Sequence, residues 1–302
     1  MYETFFGLKE MPFALTPNTQ YYYGLPPHQE ALQVLQTALE SGEGFIKVTG
    51  EVGTGKTLVL RMLMNAEWSW QFEIAYLPNP YLTAAEMRAA LALELGLKDL
   101  ASRDELAVTD AVNRRLIELH KEGRRVMVLV DEAQDLPDET MEAIRLFGNL
   151  ETESEKLIQI VLFGQPELDQ RLAQEHFRQL RQRITFSYCL RPLTLPETRA
   201  YVEYRLKIAG YQGYPLFTPS AMKRLWRSSR GIPRLINVLA HKSLMLAYGR
   251  GSAKIKSSMV RIAARDTPDA GPSPVADMHL IIVVLLLLLL LTLCFCMESG
   301  LI

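Results

Sequence analysis

Short apolar runs alternate with amphipathic stretches over the first 190 residues. The runs read as strands because they are short and rich in β-branched or aromatic residues; they cover 44–49, 72–77, 125–130, 157–163 and 184–190. Helices are predicted between them, at 27–41, 58–64, 83–95 and 105–122, and Thr83 with Glu86 supplies a capping box for the third. This alternation predicts an α/β fold with a parallel sheet flanked by helices.

Beyond residue 195 the pattern is helical throughout, with predicted helices that begin near residues 201, 219 and 235. A segment of linker composition, rich in Pro, Asp and Ala, follows at 266–279. We therefore divide the chain into an N-terminal arm and helix (1–43), an α/β core (44–190), a helical lid (191–265), a linker (266–279) and an apolar segment (280–297).

The apolar segment 280–297 carries no charged residue and includes seven consecutive leucines from Leu285. As a helix it would be about 27 Å long, close to the roughly 30 Å hydrocarbon thickness of a bilayer. Basic residues precede it and a single acidic residue, Glu298, follows it, so we expect a single C-terminal anchor with the N-terminal body at the bacterial cytoplasmic face of the inner membrane. A helix packed in a protein core is the alternative.

The first strand leads into a sequence that matches the phosphate-loop pattern G-x-x-x-x-G-K-[ST]. In such a loop backbone N–H groups turn toward a β-phosphate, the lysine reaches the β- and γ-phosphates, and the hydroxyl ligates Mg²⁺. The helix that follows adds its positive N-terminal end. The predicted nucleotide contacts are Gly50, Glu51, Val52, Gly53, Thr54, Gly55, Lys56, Thr57 and Leu58. A glycine-rich turn without a nucleotide is the alternative.

Polar side chains follow two of the predicted strands, at the end where ligands bind in open α/β sheets. Asp131 and Glu132 come directly after the run at 126–130. We expect Asp131 and Thr57 to hold Mg²⁺ and Glu132 to polarise an attacking water. Gln165 follows the run at 157–163 and is a candidate to sense the γ-phosphate or orient the water; a turn residue before Pro166 is its alternative.

Three arginines are candidates for contact with developing phosphate charge, which suits the planar guanidinium fork. Arg183, and second to it Arg181, ends a predicted helix and could enter the site of a neighbouring subunit; a solvated charge at a helix end is the alternative. Arg234 follows Gly231-Ile232-Pro233 just inside a helix, where it could be held against the γ-phosphate. A structural ion pair is its alternative.

Residues 1–26 mix aromatics and prolines without a helical or strand period. We expect them to form an ordered arm, which either lines an adenine pocket or packs its aromatic side chains on the core.

Charge is distributed unevenly although the chain's formal net charge is −1. Residues 1–170 hold 14 Lys/Arg against 27 Asp/Glu, a net of −13, whereas 171–265 hold 19 against 3, a net of +16. The second half thus favours an anionic partner: nucleotide, nucleic acid, anionic lipid or the acidic half of another copy. The three cysteines have no metal-ligand spacing, and the N-terminus does not have the pattern of a signal peptide, so we expect a reducing compartment.

Over about residues 1–265 these motifs together resemble the AAA+ ATPases of the ExeA/GspA type, and within them the MshM-type ATPases of mannose-sensitive haemagglutinin (MSHA) pilus biogenesis. The resemblance rests on the opening Phe5-Phe6-Gly7-Leu8 with Pro12-Phe13 and Leu15-Thr16-Pro17, on the phosphate loop, and on the segments 131–136, 164–168, 180–184 and 231–234.

The resemblance implies an α/β AAA+ nucleotide-binding domain with a small helical lid, ATP and Mg²⁺ as cofactors, and a homo-oligomer with sites between subunits. It also implies coupling of ATP hydrolysis to pilus or secretion-apparatus assembly proteins. ExeA-type proteins continue past a membrane helix into a peptidoglycan-binding domain, whereas five residues follow 297 here, so we expect no cell-wall binding by this chain. Pilus-type members mostly end near the lid, which leaves an altered reading frame as a further alternative for the leucine run.

Three functions therefore compete. The first is a membrane-anchored ATPase of pilus or secretion-apparatus assembly. The second is a DNA-handling ATPase of the TniB-like transposition type, favoured by the basic lid. The third is a scaffold that oligomerises on binding ATP. An Asn-Lys-x-Asp guanine-reading sequence is absent, which argues against GTP, and the family resemblance implies adenine.

Overall fold

The computed structural model describes residues 2–14, 24–98, 104–151 and 155–271. The helices in these ranges are α1 Tyr2–Phe6, α2 Pro26–Glu40, α3 Lys56–Met64, α4 Ala84–Glu94, α5 Glu105–Lys121, α6 Asp138–Phe147, α7 Pro166–Leu172, α8 Arg178–Arg183, α9 Leu195–Ile208, α10 Pro219–Ser229, α11 Pro233–Gly249 and α12 Ser257–Arg265. The strands are β1 Phe45–Gly50, β2 Phe72–Leu77, β3 Arg125–Val130, β4 Ile158–Gly164 and β5 Ile184–Leu190.

The chain forms two compact units. Among the described residues, the sheet unit comprises those within 24–191, and the helical unit combines those before residue 24 with those at 192–271. The sequence pattern groups 1–43 as one segment, whereas the structure divides it between the units. The physical reason is burial: Leu35 and Leu39 of α2 join the apolar cluster on one face of the sheet, while Phe13 of the arm is buried in the helical unit.

The sheet has five parallel strands in the order β2-β3-β4-β1-β5. Every residue of β4 is buried, and so is every residue of β3 after Arg125, because an apolar cluster covers each face of the sheet. All five predicted strands are present within one residue of their expected bounds, and the parallel α/β fold is confirmed. What the sequence pattern did not contain is the strand order, which puts β4 between β1 and β3.

Helix ends in both units follow the predicted chemistry. Thr83 and Glu86 form the reciprocal capping box at α4, as the sequence predicts. Thr194 and Glu197 form another at α9, which begins the helical unit's long helices. The predicted helices that begin near 219 and 235 are α10 and α11, and α12 adds a further helix that the sequence analysis did not separate.

The described part of the arm packs within the helical unit. Tyr2–Phe6 forms a short helix, against the expectation of no helical period; Tyr2 and Phe6, four residues apart and buried, share its inner face. Arg205 Nε donates to the Pro12 carbonyl over 2.6 Å. Residues 2–14 therefore pack their aromatic side chains, as one of the two alternatives expects, but they do so within the helical unit and not on the α/β core. Residues 15–23 lie outside the described ranges.

No helix within the described ranges is both long enough and apolar enough to span a bilayer. The leucine-rich segment 280–297 and most of the linker 266–279 lie outside those ranges.

Candidate nucleotide-binding site

The phosphate loop connects the end of β1 with the start of α3. Gly55 precedes α3 with φ +102°, a conformation that favours glycine. Within the loop, the Thr54 hydroxyl and backbone N–H both donate to the Glu51 carbonyl, over 2.8 and 3.2 Å. These bonds close the loop into a compact turn next to the helix N-terminus, where free backbone N–H groups and the helix dipole favour an anion.

Lys56 is the first residue of α3 and is only 5% exposed. Its Nζ donates to the Gly50 carbonyl over 2.8 Å and, at 3.4 Å, to that of Glu51. Burial lowers the pKa of Lys56, while the carboxylates of Glu132 and Asp131 oppose that shift. An ammonium group has three donors, so an anionic oxygen beside these two carbonyls fits it well.

Thr57 and Asp131 are 74 residues apart in sequence, and the Thr57 hydroxyl donates to Asp131 Oδ2 over 3.2 Å. Burial raises the pKa of Asp131, and a hydrogen bond from the Glu132 N–H opposes the rise. A hydroxyl beside a carboxylate is the kind of oxygen pair that Mg²⁺ uses when nucleotide phosphates and waters complete its shell. The residues present therefore fit the predicted Mg²⁺ site.

Glu132 has φ +49°, a left-handed conformation rare for a side chain of this kind. Its Oε2 accepts from Gln165 Nε2 over 3.3 Å and from Gln134 Nε2 over 3.0 Å. Gln134 in turn accepts from the Gln165 backbone N–H over 2.9 Å. The two amides together orient the carboxylate, and the position of β4 between β1 and β3 brings Gln165 to it. Gln134 was missed by the sequence analysis.

His28 is a second residue that sequence reasoning missed. It lies in the first turn of α2, is 3% exposed, and its Nε2 is 2.8 Å from the Thr54 carbonyl of the phosphate loop. A Cβ on Gly55 would lie 2.6 Å from the same nitrogen. No signal in the motif points to His28, because the contact joins residues 26 positions apart.

No contact within the described residues of the sheet unit brings Arg181 or Arg183 to the phosphate loop. Arg181 is exposed and donates to the Ala173 carbonyl over 3.1 Å. Arg183 is the last residue of α8. Its charge contributes to lowering the pKa of Glu142, which is held below its ordinary value mainly by hydrogen bonds from Arg145. Their role between subunits stays a prediction.

Arg234 is the second residue of α11, in the helical unit, and is exposed. Its side chain makes no hydrogen bond or ion pair with any described residue, so the ion-pair alternative finds no partner within those ranges. Contact with a nucleotide stays a prediction.

The part of the chain that holds the sheet, the phosphate loop and the carboxylates is similar in sequence to a known domain family. Residues 39–172 match the AAA domain family. The matched range includes the phosphate loop, Asp131, Glu132 and Gln165. The sheet unit therefore has an α/β P-loop NTPase fold and is similar to the AAA domain family, a class that binds nucleotides, usually with Mg²⁺.

The chain is also 46% identical over 264 residues to general secretion pathway protein A of Aeromonas hydrophila. The alignment covers 87% of this chain and 48% of that protein, so the chain spans about half the length of this curated relative. At this identity the chain is similar to general secretion pathway protein A over the aligned half of that protein.

Solved structures share the fold at low identity. Cdc6p from Pyrobaculum aerophilum aligns with a TM-score of 0.62 and 18% identity, over 84% of this chain and 70% of that one. The Aeropyrum pernix ORC2 protein, solved in ADPNP–ADP complexes, aligns with a TM-score of 0.59 and 16% identity, over 89% of this chain and 74% of that one. At these identities the likeness concerns the fold alone.

Proposed function

We propose that this chain hydrolyses ATP and uses it to support assembly of a secretion apparatus or an MSHA-type pilus. The observation that carries the hydrolytic part is the Thr57–Asp131 contact beside Glu132, whose carboxylate is oriented by two amides. Similarity to general secretion pathway protein A supports the assembly part.

The phosphate loop and Lys56 bind the β- and γ-phosphates, and Thr57 and Asp131 hold Mg²⁺, which when bound neutralises phosphate charge. Glu132 accepts the proton of the attacking water, which requires its carboxylate to be ionised and free to face that water. Gln165 and Gln134 hold the carboxylate in that orientation by donating to one of its oxygens, Oε2, which leaves Oε1 for the water.

Hydrolysis in this proposal takes place in a homo-oligomer. Arg183, or Arg181 in its place, enters the site of the neighbouring copy, and Arg234 contacts the γ-phosphate. The body lies at the cytoplasmic face of the inner membrane, with residues 280–297 as its anchor.

Two variants of the full chain test the enzymatic part. Lys56→Ala should lose nucleotide binding, whereas Glu132→Gln should bind ATP normally and lose turnover, because the amide cannot accept a proton. Unchanged hydrolysis in Glu132→Gln would remove that residue from the mechanism. If wild type turns over slowly yet changes mass on binding ATP, the switched-scaffold function replaces the proposal.

The assembly part needs a cellular test. In cells that lack the chromosomal copy, wild type should restore export of secreted proteins or display of pili, and Glu132→Gln should restore neither. Restoration by Glu132→Gln at normal protein level would separate assembly from hydrolysis and contradict the proposal.

A further inference from the structure

The helical unit contains a long stretch without any acidic residue. Between residues 204 and 265 the chain has thirteen Lys and Arg and no Asp or Glu. The nucleotide site proposed above uses only Arg234 of these thirteen. The charge therefore calls for a separate explanation.

Two of the thirteen have structural partners that account for them. Arg205 is 7% exposed and donates to Tyr201 and to the carbonyls of Pro12 and Ala14. Lys242 pairs with Asp266, with 2.8 Å between Nζ and Oδ2. The eleven others are all exposed, and seven of them lie on α10, on α12 or in the segment directly before α12.

A β-bridge between the segments that precede α10 and α12 brings the starts of these two helices together. Phe217 pairs with Ile255, and backbone bonds of 2.8 Å (Ile255 N–H to the Leu216 carbonyl) and 3.0 Å (Thr218 N–H to the Ile255 carbonyl) flank the bridge. The helix α10 begins two residues after one bridge partner and α12 two residues after the other. Both helices thus start from the same point, and Arg224 Nε on α10 donates to Ser257 Oγ on α12 over 2.7 Å.

The inner faces of the two helices are apolar and buried, with Ala221, Met222 and Leu225 on α10 and Met259, Val260 and Ala263 on α12. The exposed basic residues lie on the remaining faces and on either side of buried Ile255. We call this set the α10/α12 basic face; it consists of Lys223, Arg224, Arg227, Lys254, Lys256, Arg261 and Arg265.

The chemistry of the face indicates its partner. Neither α10 nor α12 exposes a large hydrophobic side chain, so the two helices themselves have nothing to insert into a bilayer and no aromatic ring to stack on unpaired bases. Among the described residues, the one highly exposed aromatic residue near Lys254 is Tyr214, which precedes α10. Four of the seven cations are arginines, whose planar fork matches phosphodiester oxygens. We propose that the α10/α12 basic face binds the phosphate backbone of double-stranded nucleic acid, without reading its sequence.

The dimensions suit this ligand. The eleven residues of α10 span about 16 Å at roughly 1.5 Å per residue. A duplex carries one charge per about 1.7 Å of axis, so the same length presents about nine phosphates. If about five of the seven cations contact phosphates, the logarithm of the binding constant should fall with the logarithm of salt concentration with a slope of about −4 to −5.

The test measures binding of the full chain to a labelled 30-base-pair duplex of arbitrary sequence between about 50 and 200 mM salt. The variant is Arg227→Glu/Arg261→Glu, whose two side chains make no hydrogen bond or ion pair within the described residues. The matched control, Lys98→Glu/Arg114→Glu, makes the same charge change at exposed positions of the sheet unit.

We expect the variant to lose at least about tenfold in affinity at 100 mM salt and its salt slope to shrink by about 2, while the control stays within about twofold of wild type. Thermal unfolding and ATP turnover without duplex should be unchanged in both, which shows that the fold and the nucleotide site are intact. Lys56→Ala should still bind the duplex, so failure of the proposed ATPase would leave this result standing.

Several results would overturn the proposal. If the variant and the control lose duplex affinity equally, the effect comes from the change in net charge and not from the α10/α12 basic face. Binding to phosphatidylglycerol vesicles that Arg227→Glu/Arg261→Glu abolishes, with no specific loss on duplex, would assign the face to a membrane surface. Salt-sensitive self-association lost in the same variant, again with no specific loss on duplex, would assign it to the acidic sheet unit of another copy.

Discussion

The imidazole Nε2 of His28 donates a hydrogen bond to the Thr54 carbonyl of the phosphate loop over 2.8 Å. Because the carbonyl can only accept, Nε2 carries the proton. The other ring nitrogen, Nδ1, is buried and has no hydrogen-bond partner among the described residues, so the ring is neutral. The bond holds the Thr54 carbonyl, and with it the turn of the phosphate loop, in place.

Replacement of His28 should therefore weaken both the fold and nucleotide binding. His28→Ala removes a buried ring and leaves the Thr54 carbonyl without its donor, which we expect to cost about 2–4 kcal/mol in the free energy of unfolding. ADP affinity should fall by about tenfold because the loop loses its support. His28→Gln, which can still donate, should recover part of both. Full ADP affinity in folded His28→Ala would show that the loop does not depend on this bond.

Stability should also depend on pH through His28. Burial lowers the pKa of His28 below its ordinary value of 6.5, and the bond to Thr54 opposes part of the shift. As pH falls below about 6.5, the unfolded chain takes up a proton that the folded chain refuses, so the free energy of unfolding decreases; above about pH 7.5 this term vanishes.

The comparison of wild type with His28→Gln isolates this dependence from that of the other histidines. Denaturant unfolding between pH 5 and 8 should give a steeper loss of stability toward low pH in wild type than in the variant. Parallel pH profiles for the two proteins would contradict a neutral His28.

Gly55→Ala should be strongly destabilising. The new Cβ would sit 2.6 Å from His28 Nε2 on a backbone with φ +102°, so both overpacking and left-handed strain contribute, for a total of about 2–4 kcal/mol. Gly123→Ala is the matched control, since Gly123 has φ +75° and a Cβ added there would meet no atom within 4 Å. Gly123→Ala should show only the cost of left-handed strain, a loss of about 1–2 kcal/mol in the free energy of unfolding. Equal losses by denaturant unfolding would mean that the His28 contact imposes no constraint.

Gln165→Ala should lower kcat by about tenfold or more and leave ADP affinity nearly unchanged, because the lost amide orients Glu132 rather than the nucleotide. Gln170→Ala, at an exposed position of α7, provides the control and should behave as wild type. A loss of ADP affinity without a change in kcat would place Gln165 in nucleotide binding instead.

If Arg183 completes the site of a neighbouring copy, two variants that are each inactive alone should regain ATP hydrolysis when they are mixed. Arg183→Ala keeps an intact phosphate loop, and Lys56→Ala keeps its arginine, so mixed oligomers contain some complete sites and should regain hydrolysis. Arg178→Ala, at an exposed position of the same helix, should be active alone. No recovery on mixing, or full activity of Arg183→Ala alone, rules out this role; recovery with Arg181→Ala in place of Arg183→Ala would give the role to Arg181.

Local patterns sufficed for the strands, for most helices and for the capping box at Thr83. The phosphate loop and the carboxylates after β3 were also readable, because their chemistry depends on residue type and on short spacing. Buried parallel strands are near-continuous apolar runs, and a loop that binds phosphate needs glycine at fixed positions. These features require no knowledge of which elements meet in space.

Which helices, strands and loops contact one another was decided by the tertiary structure alone. Placement of β4 between β1 and β3 brings Gln165 to Glu132, and packing of α2 on the sheet brings His28 to Thr54. The bridge between Phe217 and Ile255 brings the starts of the two basic helices, α10 and α12, together. Each contact joins residues between 26 and 38 positions apart, and only the burial of apolar surface from both partners sets such pairings, because local backbone preferences carry no information about them.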